Sequence, residues 1–293
     1  MAVKPITSGQ KEEIFKIVRD AVASALEGND ADKKNAQRLI EKAGDLKDIV
    51  GLALRGLLIE DFSNQQLNAR DKYPSGFEVK SIYEQLRILN KYFLTPDFRL
   101  KTGREIKLRA GAEGLFVIPK WERMYKSYDL AIDAICGLLA RKEQKVPFSN
   151  ECTHVEGAHY IGKRWESNRL LTKVINSQTG DYYILPAQLG SRYCGCSVLR
   201  AMRLFASDEI GLGVWEMGCI LLAHEELLDG DLFVSMHDMI QIDCPGDVCG
   251  TDAEHQTGDS PYFYYHPVSG LNLSVRRANI PDINIGAATG FIA

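Results

Sequence analysis

The sequence predicts an α+β protein: a helical N-terminal lobe followed by a mixed domain with a small sheet and packed helices. Three observations carry that reading. Up to residue 62 the apolar residues recur with helical spacing only. Further on, apolar runs of strand length near 115, 184, 241, 263 and 273 alternate with helical stripes. The chain has 293 residues and 45% hydrophobic content, enough for one large core or two modest ones, since single cores stop growing near about 250–300 residues.

Within the lobe, Ser8 caps a first helix whose stripe is Ile14, Val18, Ala21, Val22 and Ala25. Gly28-Asn29-Asp30 breaks it, a second helix runs through Ala36, Leu39, Ile40 and Ala43, and a third runs from Leu46 to Leu57. Three short helices with narrow stripes suit a small bundle or a partner-docking appendage. Residues 63–72 are polar and rich in glutamine and asparagine, the expected linker, so the domains read as 1–62 and 73–293.

Past the turn Tyr73-Pro-Ser-Gly76, Ser81 and Glu84 form a capping box ahead of Ile82, Leu86, Leu89 and Phe93. Leu115-Phe-Val-Ile118 reads as a buried strand. A helix is expected over Ser127 to Lys145, buried along Leu130, Ala134, Ile135, Leu138 and Leu139, and another over Trp165 to Ile175. The stretch Pro147–Gly162 between them reads as loop.

Tyr183 to Gly250 is the stretch with most chemical potential. A strand at Ile184-Leu185-Pro186 feeds the glycine-punctuated turn Gln188–Cys196; Ser197 then opens two apolar helical patterns, and a second strand ends in Asp243-Cys-Pro-Gly-Asp247. Beyond it, Tyr262–Tyr265 and Leu271–Val275 flank a Pro-Val-Ser-Gly turn as a hairpin, Ile283-Asn-Ile285 reads as a last edge strand, and Gly286–Phe291 as close-packed small-residue chain.

Thirty-nine acidic against 35 basic residues give a net charge of −4, which argues against general binding of nucleic acid or of an anionic membrane. No apolar run approaches the roughly 18 residues that span a bilayer, and the first residues lack the basic-plus-apolar pattern of a secretory signal. A cytoplasmic location with seven reduced, mostly buried thiols is the expectation.

Four constellations are candidates for chemistry. The first is the carboxylate set Glu209, Glu216, Asp243 and Asp247, with His224 and His237 nearby: Asp243 and Asp247 at a strand end offer hard oxygen ligands for Mg²⁺ or an acid–base pair, yet Asp-Cys-Pro-Gly-Asp is also a good turn. Arg192, Ser197 and Arg200 surround a glycine turn entering a helix, suited to an anion, although neither phosphate-binding glycine motif is present and a plain structural turn serves as well. Cys194, Cys196, Cys244, Cys249, Cys152, His154 and His159 offer soft ligands for Zn²⁺, but with one or four residues between paired cysteines instead of two. Cys194 or Cys196 at a helix start are the candidate nucleophiles. His224, near a helix C-terminus, is expected to stabilise that helix as an imidazolium.

The words Gly111-Ala-Glu-Gly-Leu-Phe-Val-Ile-Pro-Lys-Trp121, Pro186-Ala-Gln-Leu-Gly-Ser-Arg192, Ser197-Val-Leu-Arg-Ala201, Glu209-Ile-Gly-Leu-Gly213, Ile242-Asp-Cys-Pro-Gly-Asp247 and Gly286-Ala-Ala-Thr-Gly-Phe291 resemble, in that order, a family of uncharacterised predicted bacterial proteins. The resemblance runs from about Tyr73 to the end and implies no activity. Relatives place basic residues around the glycine turn where this chain has Cys194 and Cys196, so a cysteine metal site is not what the group shares. Two function classes follow. The first is a non-catalytic interaction or assembly protein with a protein partner or self-association. The second is a metal-dependent hydrolase, acting on phosphoesters through Asp243, Asp247 and Glu209 with Arg192 and Arg200 holding the anion.

Overall fold

Residues 77–93, 106–141, 148–153, 160–228, 241–250, 259–266 and 270–292 are described in the structure, a computed structural model, together with the single positions 12, 16 and 19. The chain divides into two units, Met1–Ile59 and Glu60–Ala293. Apart from those three positions, the expected helical lobe over 1–62 lies outside the described residues, as do the linker at 63–72 and His154, His159 and His237.

The second unit is mixed α+β, with five helices among the described residues: α1 (Ile82–Leu89), α2 (Tyr128–Arg141), α3 (Trp165–Ser177), α4 (Val198–Leu204) and α5 (Val214–Ala223). The sheet is larger than the small one expected. Eight strands form it: β1 (Gly114–Pro119), β2 (Phe148–Asn150), β4 (Tyr182–Leu189), β5 (Glu209–Gly211), β6 (Gln241–Asp243), β8 (Ser260–His266), β9 (Gly270–Arg276) and β10 (Gly286–Phe291). Their order is β1-β4-β10-β6-β8-β9-β2, with β5 also on β10. β3 (Tyr160–Lys163) and β7 (Asp247–Gly250) make a separate antiparallel pair.

Small residues explain the difference in size. Gly286–Phe291 forms an interior strand, third in that order, paired with β4 on one edge and with β6 and then β5 on the other. Gly-Ala-Ala-Thr-Gly carries little strand propensity, but its small side chains let neighbouring backbone come close. A Cβ on Gly286 would meet the carbonyl oxygen of Gly190 at 1.8 Å, and Gly190 itself has φ +104°. Ile283 accordingly belongs to a turn, with its side chain 68% exposed, and not to an edge strand. The expected loop at 147–162 likewise contains β2 and the start of β3.

Elsewhere the pattern translated directly. The capping box forms, with Ser81 Oγ accepting from Glu84 N and Glu84 Oε2 accepting from Ser81 N. In the β8–β9 hairpin Phe263 and Tyr265 are buried while Tyr262 and Tyr264 stack on the other face, centroids 5.4 Å apart. α2 buries Ala131, Ile132, Ile135, Cys136 and Leu139 and leaves Leu130 49% exposed, so the helix is turned by about one position from the expected stripe. Every residue of α5 is buried, which puts its ten residues in the centre of the core against α2, α1 and β1.

Two glutamines finish the sheet. Gln85 on α1 donates Nε2–H to Leu115 O and accepts from Val117 N, acting as a pseudo-peptide group along the outer edge of β1. Gln178 does the same for Ile184 of β4, donating to its carbonyl and accepting from its N–H, at 2.8 Å each. Unpaired edge groups buried without such partners are costly, so the two amides close the sheet where no strand does. Among the described residues no helix is long and apolar enough to cross a membrane.

Candidate functional site

Asp243 ends β6, which is an interior strand between β10 and β8, so it does not lie on a free edge of the sheet. Arg276 of β9 grips it with both arms of the guanidinium, Nε to Oδ1 at 2.7 Å and Nη2 to Oδ2, and gives Nη1–H to Ile280 O at 2.7 Å. Burial pushes the Asp243 pKa upward, and Arg276 opposes that push without cancelling it.

Four residues on, Asp247 belongs to the other sheet. Its N–H donates to Cys244 O at 3.0 Å, which closes the turn that Cys244-Pro-Gly-Asp247 encodes. The side chain does more than close it. Oδ2 accepts from Tyr128 OH at 2.6 Å and from Val214 N at 2.7 Å, so the carboxylate sits on the first free N–H of α5, where a negative charge is favoured. The other end of this network is Glu216, which accepts from Lys163 Nζ at 2.9 Å on both oxygens, from Gly213 N at 3.0 Å and from Tyr183 OH at 3.2 Å. Arg164 reaches the Asp247 carbonyl at 3.0 Å. Two cations and two carboxylates thus meet where α2, α3, α5, β3, β4 and β7 converge.

Electrostatics in this network follow from burial. Burial raises the Asp247 pKa to about 6, with Lys163 lowering it and Glu216 raising it. Burial alone would depress Lys163, but Glu216 and Asp247 outweigh it and hold the ammonium above its ordinary value. Tyr128 and Tyr183 are pushed well above theirs by burial and then by the carboxylates, which makes both phenols neutral donors. Asp247 Oδ1 is buried with no hydrogen-bond partner, and it lies where a Cβ on Gly213 would meet it at 2.5 Å.

Glu209 opens β5 and sits in a third environment. Oε1 accepts from Arg192 Nη1 at 3.2 Å and from Thr289 Oγ1; Oε2 accepts from Tyr193 OH at 2.6 Å and Ala206 N at 3.2 Å. Gln188 backs the group by donating Nε2–H to Thr289 Oγ1 at 2.8 Å. Nearby, Glu113 accepts from Ser191 Oγ and Leu189 N. This is the one of the three carboxylate sites whose cation is substantially exposed, the Arg192 side chain at 39%.

The three carboxylates proposed from sequence therefore each have their own partners: Arg276 for Asp243, Tyr128 and the α5 backbone for Asp247, and Arg192 with two hydroxyls for Glu209. Among the described residues no group of three or more histidine, cysteine, aspartate or glutamate side chains could hold a metal ion. At the start of α4, Ser197 Oγ accepts from Arg200 N at 3.2 Å and Leu199 N donates to Ala278 O at 3.0 Å, so two of the N–H groups proposed for an anion are used internally. None of the seven cysteines is in a disulfide, all are buried, and burial pushes the Cys196 thiol up to about 11, away from nucleophilic character.

His224 corrects an expectation. Its Nε2 faces the backbone N–H of Lys80 at 3.2 Å and its Nδ1 faces Ile220 O at 3.1 Å. A backbone N–H only donates and a carbonyl only accepts, so the ring is the neutral Nδ1–H tautomer, edge-on to Phe77 and Phe116. An imidazolium would lose the Lys80 bond.

Sequence reasoning missed Lys163, Arg164, Tyr128, Tyr183 and Arg276 as partners. They sit 33 to 119 positions from the acidic residues they bond, and no local spacing announces such pairs. Glu216 carried the only local signal, three residues after Gly213 at a helix start. A scan against protein-family models, a search of curated proteins and a search of solved structures each return no match to this chain.

Proposed function

We propose that this chain is a non-catalytic interaction or assembly protein whose polar clusters hold the fold in shape. One observation supports the reading above the others. Glu209, Asp243 and Asp247 are each held by separate buried or half-buried partners, and among the described residues no two of them contact a common cation. A metal-assisted hydrolysis of phosphoesters needs at least two such oxygens on one ion, together with an open coordination position. A binding protein needs neither, and the large apolar side chains left exposed, Trp165 at 59% and Ile283 at 68% among them, are material for contact.

The test is light scattering on the purified full chain across a wide concentration range, paired with a phosphoester hydrolysis assay in Mg²⁺. The reading predicts a mass above the monomer or a stoichiometric protein complex, and no hydrolysis that depends on Asp243. A strict monomer at high concentration without a stoichiometric partner, or Mg²⁺-dependent turnover lost in Asp243→Asn, overturns it.

A further inference from the structure

Arginines that only hold a fold spend their donors inside it. Arg276 gives Nε and Nη2 to Asp243 and Nη1 to Ile280 O, and its side chain is 12% exposed. Arg192 differs on each count. Of its guanidinium donors only Nη1 has a partner, Glu209 Oε1 at 3.2 Å, while Nε and Nη2 have none among the described residues, and the side chain is 39% exposed.

Nor is the group loose. Its Cζ lies 5.3 Å from the centroid of the buried Tyr193 ring and 5.7 Å from that of Phe291, both within cation–π range. Gly111, at φ +87°, brings its Cα so close that an added Cβ would stand 3.0 Å from Nη1 and 3.2 Å from Cζ. The backbone N–H of Arg192 points to Gln188 Oε1 at 3.4 Å. A planar fork fixed on two rings and a glycine, with Nε and Nη2 unengaged on a side chain 39% exposed, suits a planar, two-oxygen anion.

We infer that the outward edge of Arg192 is the docking point for a carboxylate carried by a protein partner, an acidic side chain seated in bidentate fashion on Nε and Nη2. The inference rests on the interaction reading and names the partner chemistry of that site. Charge decides the class of partner. The chain carries −4 overall, and Glu113 and Glu209 stand beside the site, so repulsion grows with every negative charge brought in and a single carboxylate meets far less of it than a polyanion such as RNA or an anionic membrane.

The experiment follows the Arg Nε–H resonances of the ¹⁵N-labelled full chain during titration with sodium acetate, against sodium chloride at matched ionic strength and against inorganic phosphate. Arg192→Lys identifies the Arg192 signal; a lysine still neutralises Glu209, so the fold is kept while the fork is lost. Acetate is expected to shift the Arg192 signal more than those of the exposed Arg203 and Arg277, with chloride giving no such difference. A shift no larger than theirs overturns the inference, and so does a larger response to phosphate than to acetate. A second readout separates it from the reading beneath it. If the wild type assembles and Arg192→Lys assembles equally well, the docking role of Arg192 fails while the interaction reading stands. If acetate selects Arg192 in a chain that forms no complex, the interaction reading fails while the carboxylate site stands.

Discussion

Asp247 is the residue at which stability and pH are most directly linked. Its folded pKa, about 6, lies above the ordinary 3.8 because burial disfavours the charged carboxylate more than Lys163 favours it. A group whose folded pKa is raised binds its proton more tightly when folded, so its contribution is fullest below 3.8 and is lost as pH climbs from 3.8 through 6. The Asn side chain keeps an acceptor for Tyr128 OH and Val214 N but carries no charge. Urea unfolding of Asp247→Asn between pH 3.5 and 7 is therefore expected to show a flatter profile than wild type, the two curves differing by on the order of 1–3 kcal/mol across that window. Parallel curves would mean that Asp247 does not titrate there.

Pairs and edges are where whole elements are joined. Lys163 of β3 and Glu216 of α5 are 8% and 1% exposed, so neither charge is tolerable alone. Lys163→Met should cost about 3–5 kcal/mol, whereas Lys163→Met combined with Glu216→Leu should cost clearly less than the sum of the singles, because the second change removes the orphaned charge. Additive losses in that double-mutant cycle would show that the pair is not coupled. Gln85 is the corresponding joint between α1 and β1. Gln85→Ala strips partners from Leu115 O and Val117 N at once and is expected to lower stability by about 2–4 kcal/mol, with hydrogen exchange at Val117 rising more than at β4; equal protection in both would contradict the edge-closing role.

For the molecule as a whole, the sequence was readable wherever periodicity and local spacing set the outcome. The Ser81–Glu84 capping box, the buried run Leu115–Ile118, the apolar α5 and the alternating Tyr262–Tyr265 strand all follow from rules acting within a few residues. Illegible were the features fixed by contacts across the chain. Gly286–Phe291 becomes an interior strand because Gly190 leaves room for its backbone, a fact about two segments 96 positions apart. The candidate carboxylates stood out by residue type alone; the side chains that hold them or their neighbours, Arg276, Tyr128, Lys163 and Thr289, are coupled to them by no local window.

The measurement that bears most directly on the central claim is the urea unfolding free energy of wild type, Asp243→Asn and Glu209→Gln, each titrated with MgCl₂ at constant ionic strength. If the carboxylates hold shape, wild-type stability stays flat with Mg²⁺, and Asp243→Asn loses about 2–5 kcal/mol at every Mg²⁺ concentration because the mostly buried Arg276 guanidinium is left without a counter-charge. A saturable rise of wild-type stability with Mg²⁺, following RT ln(1 + [Mg²⁺]/Kd) and absent from both variants, would contradict the account and make these residues an ion site.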